Sequence, residues 1–386
     1  MRDVVVVGAG PAGLMAARGL AAAGRDVVIL EEHPRVGVPV HCTGLIGLEA
    51  FAELGLPRHP ILATTHQARF VSSDGTSIFI EAERVRAAVV DRAVFDSALA
   101  DECRATGAEL RTESRVRSIA VHHDRVQISG DTPETAVDAR SCVLACGASY
   151  RFNRELGLGV PRAYVQSAQL EVQFAGPEHL EVHLGSGVAP GGFAWVVPFA
   201  RNGQRYNRIG LMCQAGVAQR FGQFASVIRE RHAADGPWPD PRMKILPLGP
   251  VNKTYGDRLL AVGDAAGLVK PTTGGGIYYS LISGVIAAEV VDGALRADDL
   301  RESRLRAYET EWRARLGPDI RTGLAFRTLA SRLSDRAIDA LVELARVDGI
   351  VPLLQQTADF NWHRRSALAL LKHGQFRRIL LGSLWS

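Results

Sequence analysis

Cysteine is scarce in the 386 residues, and its placement forms no metal or disulfide pattern. Cys42, Cys103, Cys142, Cys146 and Cys213 are odd in number and include no CxxC pair. That argues against a disulfide framework or zinc site, and for a reducing, cytoplasmic setting. An excess of one charge is also missing. Lys and Arg total 45 against 41 Asp and Glu, a net charge of +4, which gives no sign of a nucleic-acid binder. Uninterrupted apolar runs stop short of the ~18 residues of a membrane span. No charged, apolar, small-residue leader precedes the first strand pattern, and repeats and low-complexity tracts are absent. With 47% hydrophobic and 22% charged residues, the composition is that of an ordinary globular protein with a sizeable core and two or three domains.

What the chain does have is glycine, concentrated in two loops far apart. The first is "VVVVGAGPAG". Val4 to Val7 read as a strand buried on both faces. Gly8, Gly10 and Gly13 follow in GxGxxG spacing, a helix pattern runs from about Pro11 to Ala23, and a second buried strand, Val27 to Leu30, ends in Glu31. The first glycine permits the tight turn, the second lets a pyrophosphate approach the backbone, and the third packs helix on strand. Glu31 stands where an acid accepts ribose hydroxyls. The whole reads as a dinucleotide site.

The second loop lies in "GDAAGLVKPTTGGGIYYSLISG", residues 263–284. Residues 258–262 read as a strand ending at Gly263 and Asp264, on the rim where open α/β sheets bind ligands. Gly274, Gly275 and Gly276 then precede Ile277 and a helix pattern, so several backbone N–H groups stand ready for an electron-rich group. One cofactor long enough to touch both loops accounts for them, and FAD qualifies. Its ADP half would lie on the first loop. Asp264 would bind the ribityl hydroxyls, and the Gly275, Gly276 and Ile277 amides would face the pyrimidine edge of the flavin. Ala12, Thr43 and Val116 complete the expected cofactor-binding set.

Together, the first loop, "GDAAG" and "PTTGGGI" resemble the FAD-dependent oxidoreductases of the geranylgeranyl reductase family, within the p-hydroxybenzoate-hydroxylase-like flavoproteins. "GVPVHCTG" (37–44) resembles that family's cysteine loop beside the flavin. "VDRAVFDSAL" (90–99) resembles its R-x-x-F-D-x-x-L helix, which implies an FAD contact for Arg92. "PGGFAWVVP" (190–198) resembles its Y-x-W-x-F-P substrate motif. Trp195 and Pro198 match it, while Phe193 replaces the tyrosine and Val197 the phenylalanine. The resemblance spans about residues 1–290. It implies hydride transfer from reduced flavin to C=C bonds of a polyprenyl lipid, in a site that excludes water and supplies a proton. With no second GxGxxG, the electrons would come from transiently bound NAD(P)H or a ferredoxin.

The expected fold is α/β: an FAD-binding Rossmann-like domain (1–55, 84–150, 255–300), an inserted antiparallel β-sheet substrate domain (56–83, 151–254), and a C-terminal helical module (301–386). Residues 68–82 read as a hairpin turning at Ser73, Asp74 and Gly75. Cys42 has two readings, beside the flavin or packing a loop, and His41 is either a polar loop residue or the proton source. Tyr278 and Tyr279 open the second loop's helix, one expected to pack and the other to face substrate or flavin, with Tyr279 the catalytic candidate. Lys270 is a surface lysine or a charge near the flavin. Phe193 and Trp195 share a strand face, as sheet core or as an apolar substrate wall with Pro198. Cys103, Cys142, Cys146 and Cys213 read as small core residues. The tail, with Lys372, Arg377, Arg378, Phe376, Ile379, Leu380 and Trp385, either docks on the protein's own helices or touches an anionic membrane peripherally. Two alternatives to the reductase share the fold: an FAD monooxygenase and a non-catalytic prenyl-binding protein. The absence of a W-x-W-x-I-P segment argues against a halogenase.

Overall fold

The computed structural model describes residues 1–81, 87–347 and 349–382. Trp385, the last residue of the 68–82 hairpin pattern and the expected domain boundary at 83/84 lie outside the described residues.

Four consecutive buried valines make Arg2–Val7 a central strand. It pairs in parallel with Val27–Leu30 on one side and Val137–Leu144 on the other. Glu109–Arg111 and Leu259–Ala261 extend this parallel sheet outward. Val116–Val121 and Val126–Gly130 add an antiparallel meander to Val137–Leu144. Helix Pro11–Ala22 crosses closely with helix Ile277–Arg296, because small residues meet there. A methyl on Gly284 would lie 2.4 Å from Ala12 O, and one on Gly19 would lie 2.7 Å from Ala288 Cβ.

By length and composition helix Ile277–Arg296 could cross a membrane, but 78% of its apolar window is buried inside the protein. It is the core helix of the first layer. Interspersed Ser, Glu and Asp residues hide it from a search for uninterrupted apolar runs.

The second sheet has seven strands, in the order Arg242–Pro247, Tyr164–Gln173, Gln204–Cys213, Phe193–Arg201, Leu180–His183, Gln67–Val71, Ser77–Glu81. All its pairs are antiparallel except Leu180–His183 with Gln67–Val71. Helix Val217–Arg231 covers one face, packing Phe221, Phe224 and Ile228 on Ala194, Val196 and Leu211. The other face turns toward the first sheet. A small third sheet is made of Leu45–Gly47, Ala87–Val90 and Ile61–Thr65. Helices from Glu302 onward form the C-terminal part. There Phe376 and Leu380 pack on Leu344, Ala345 and Ile350, with Ile379 alongside.

Candidate functional site: a cleft between two glycine loops

A cleft of about 410 Å³ opens at the rim of the parallel sheet, within the ~300–1,000 Å³ of small-molecule and cofactor sites. Both glycine loops border it. Gly8, Gly10 and Ala12 come from the first, and Gly274, Gly276 and Ile277 from the second. Each loop feeds a helix whose N-terminus has no side-chain cap: Gly10 precedes Pro11–Ala22, and Gly276 precedes Ile277–Arg296. Uncapped N-termini leave backbone N–H groups and a partial positive charge for a ligand. A methyl on Gly10 would meet nothing within 4 Å, so this backbone is open to the cleft, whereas one on Gly13 would lie 2.1 Å from Gly8 O. Gly13 thus packs helix on strand and does not border the cleft.

Glu31 lines the cleft and shapes the first loop. Its carboxylate accepts the Ala9 N–H at 2.8 Å and the His33 N–H at 3.0 Å. Val116 borders the same end. Gly263, at φ +57°, stays behind the rim and donates its N–H to Ser283 Oγ at 3.0 Å, which presents Asp264 to the cleft. There Asp264 meets Lys244 at 3.0 Å. Lys244 projects from the second sheet, and its pKa is raised chiefly by Asp264, against the cost of burial.

Arg92, on a helix capped by Asp91, lines the cleft and pairs with Asp96 at 2.7 Å. Burial works against its charge, but Asp96 and then Cys42 raise its pKa above the usual arginine value. Cys42 and His41 also line the cleft. Partial burial, then Lys244 and Arg242, lowers the His41 pKa, so its ring is neutral near pH 7. Thr43 is not in the wall. Its hydroxyl donates to Gln169 Oε1, and its carbonyl accepts from Arg208 at 2.6 Å. Arg208 is 2% exposed; it also donates to Val90 O at 2.8 Å and pairs with Glu171 at 3.0 Å. It thereby fixes the cysteine loop from the second sheet.

Other expected residues stand elsewhere. Tyr279 is 1% exposed, and neither it nor Tyr278 reaches the cleft. Trp362 packs against both rings, and Tyr278 donates to Glu53 at 2.7 Å. Gly275 lies behind the wall with its N–H directed to Thr273 Oγ1 at 3.4 Å, and a methyl added to it would lie 3.0 Å from Lys270 Cε. Lys270 is not a surface lysine, being 5% exposed. Cys146, expected in the core, borders the cleft. Phe193 and Trp195 pack with Met212 and Leu246. Leu246 borders the cleft, and Met212 lies beside Gly274. Pro198 faces the other way, since unbroken register from Phe193 to Arg201 sets it on the face opposite Trp195.

Sequence reasoning missed Lys244, Asp96 and Arg208. Asp96 stood inside the quoted helix motif. Lys244 and Arg208 carried only the weak signal of a lone cation in a strand pattern.

A model of an FAD binding domain matches residues 1–209. The chain is 30% identical over 372 residues to the digeranylgeranylglycerophospholipid reductase of Methanocaldococcus jannaschii, covering 90% of this chain and 92% of that one. To digeranylgeranylglycerophospholipid reductase 1 of Methanopyrus kandleri it is 33% identical over 377 residues, covering 90% and 98%. The chain belongs to the digeranylgeranylglycerophospholipid reductase family. Among solved structures, a geranylgeranyl bacteriochlorophyll reductase-like protein from Thermoplasma acidophilum superposes with a TM-score of 0.85 at 23% identity, over 99% of both chains. The halogenase PltM in complex with phloroglucinol and FAD superposes with a TM-score of 0.70 at 17% identity, over 99% of this chain and 85% of that one. At these identities the likeness is one of fold.

This member of the reductase family is an FAD-dependent oxidoreductase. Its cleft fits the cofactor: open backbone at Gly10 for the pyrophosphate, Glu31 and Asp264 for hydroxyl groups, and a second uncapped helix for the ring.

Proposed function

We propose that this enzyme saturates isolated C=C bonds in polyprenyl chains of a glycerophospholipid. The observation that carries this reading is the apolar cluster of Phe193, Trp195, Met212 and Leu246, which reaches the cleft through Leu246 beside Gly274. A polar or charged substrate would gain nothing there, whereas a prenyl chain gains roughly 0.8 kcal/mol per buried CH₂.

FAD, when bound and reduced, supplies the hydride. The remaining work falls to the chain. Gly274, Gly276 and Ile277 would hold the ring end, and Gly8, Gly10 and Glu31 the adenosine end. An isolated alkene has no carbonyl to take up negative charge, so the apolar wall must exclude water and align the double bond. The second alkene carbon needs a proton. Burial, Lys244 and Arg242 disfavour the charged form of His41. We assign the proton to the Cys42 side of the cleft, which Cys42 lines together with Arg92 and Lys244. The reading further places the enzyme in the cytoplasm, at a lipid surface, drawing electrons from NAD(P)H or a ferredoxin.

The test is anaerobic. The purified flavoprotein is reduced, mixed with an unsaturated prenyl glycerophospholipid, and followed by flavin absorbance and product mass. Reoxidation with a gain of two hydrogens per double bond supports the reading. Reoxidation only in air, with an oxygen atom added to the substrate, would make the chain a monooxygenase.

A further inference from the structure

Lys270 is buried in a loop folded back on itself. Its N–H donates to Gly275 O at 3.0 Å, and its carbonyl accepts the Gly274 N–H at 2.8 Å. Gly274 and Gly276 border the cleft, and Gly275 does not. A methyl on Gly275 would lie 3.0 Å from Lys270 Cε and 3.6 Å from its Nζ. A single layer of glycine backbone therefore separates the ammonium group from the cleft wall.

Among the described residues no carboxylate lies within ion-pair distance of its ammonium group. Nζ donates to a carbonyl, Phe360 O, at 2.6 Å, and lies 4.6 Å from the centroid of the Phe360 ring. The carboxylates of Asp359, Glu49 and Asp319 favour its charge, but among the described residues none forms an ion pair with it. His363 is held neutral by burial and by Lys270 itself. Arg327 is directed elsewhere, to Pro271 O at 3.2 Å. Burying a cation without a direct counter-ion is costly, and the cost is explained if the charge serves something on the far side of the glycine layer.

We propose that Lys270 stabilises the negative charge that reduction places on the pyrimidine edge of the flavin, acting across the Gly274–Gly276 layer without contact, and so raises the reduction potential of bound FAD. This rests on the reading that the glycine loop holds the ring end of the cofactor. A fixed charge in a water-poor site acts strongly at such range.

The experiment is a dye-coupled redox titration of the FAD-loaded enzyme from pH 6.5 to 10. Burial pushes the Lys270 pKa down to about 8, and negative charge on the flavin raises it again. Between those two values, reduction takes up one extra proton. The two-electron potential of the parent then falls more steeply, by a further ~30 mV per pH unit, from near pH 8. Lys270→Met should lower the pH 7 potential by about 30 mV or more, at least a tenfold loss in the reduction equilibrium, and abolish the steeper segment. Lys270→Arg should keep the pH 7 potential and also lose the segment. A parent without that segment, or a Lys270→Met enzyme with the parent's potential, would overturn the proposal. If Lys270→Met does not fold, a steep segment persisting in Lys270→Arg would overturn it equally. Purified chain that takes up no FAD would overturn the cofactor reading itself, an outcome visible from the spectrum before any titration.

Discussion

Lys244 Nζ stands 3.0 Å from Asp264 Oδ2, tying an edge strand of the second sheet to the rim of the first across the cleft. Both residues line the cavity, and Asp264 is the better placed for cofactor hydroxyls because Gly263 presents it there. Asp264→Ala should cost FAD affinity about 1.5–3 kcal/mol, the range for a hydrogen bond to a charged group. The variant should purify folded but largely colourless. Unchanged flavin content, with an unchanged circular dichroism spectrum, would remove Asp264 from the site.

The two inner glycines of the first loop should separate binding from folding. Gly10 has ordinary backbone angles, φ −79° and ψ 175°, and open space where a methyl would go. Gly10→Ala should leave the melting temperature of the cofactor-free chain unchanged while weakening FAD binding at least tenfold. Gly13→Ala puts a methyl 2.1 Å from a backbone oxygen, which no rotamer relieves, so it should lower stability by several kcal/mol. Calorimetry of the cofactor-free proteins and FAD titration of each distinguish the two. Equal behaviour of the two variants would contradict the geometry.

The glycine loops were legible because their logic is local. Strand, turn, helix and acid follow within about thirty residues, and the structure keeps them in that order. The Arg92 helix was legible through its likeness to a family motif, and Arg92 lines the cleft. Lys244, Arg208 and the burial of Lys270 were not, because each depends on a partner brought in by tertiary folding: Asp264, Thr43 and Phe360. Tyr279 shows the same limit. Its place at a helix start was readable, but Trp362, which packs against it, comes from the C-terminal part. Pro198 is a different case. Strict alternation places it opposite Trp195, and grouping the motif residues together passed over a period of two that the sequence already held.

His363 should make the junction between the flavin loop and the C-terminal segment acid-sensitive. Its Nε2–H donates to Phe360 O at 3.1 Å, and Nδ1 accepts from the Thr272 hydroxyl. This is a neutral ring with both nitrogens engaged. Burial, then Lys270, pushes its pKa down to about 3, against ~6.5 in an unfolded chain. A group depressed in this way gives its full stabilisation above pH 6.5, and loses it as pH falls from there toward 3. The loss amounts to up to about 2 kcal/mol by pH 5. Denaturation midpoints at pH 7 and pH 5 should therefore lie further apart for the parent than for His363→Gln. Equal pH dependence of the two would show that His363 is already protonated in the folded protein.

Trp195 is the residue on which the substrate wall depends most. Its indole lies over Gly210, where a methyl would come within 2.2 Å of the ring, and Phe193 stands 5.6 Å away, ring to ring. The indole touches two apolar clusters, one with Val197 and Phe199 and one with Met212 and Leu246. Among the described residues its buried Nε1–H meets no acceptor, so the contacts that hold the ring there are apolar. Trp195→Ala should retain FAD with an unchanged visible spectrum, since no cofactor-lining group moves. Anaerobic reoxidation of the reduced enzyme by a long-chain prenyl lipid should slow at least tenfold, with a smaller effect for a truncated chain that never reaches the wall, because each buried CH₂ contributes about 0.8 kcal/mol. Trp195→Phe, which keeps apolar bulk over Gly210, should recover most of the rate. If Trp195→Ala unfolds, the ring is core, and the Phe variant alone reports on the channel. If Trp195→Ala stays folded and reoxidises at the parent rate with every chain length, the prenyl chain takes another path to the flavin.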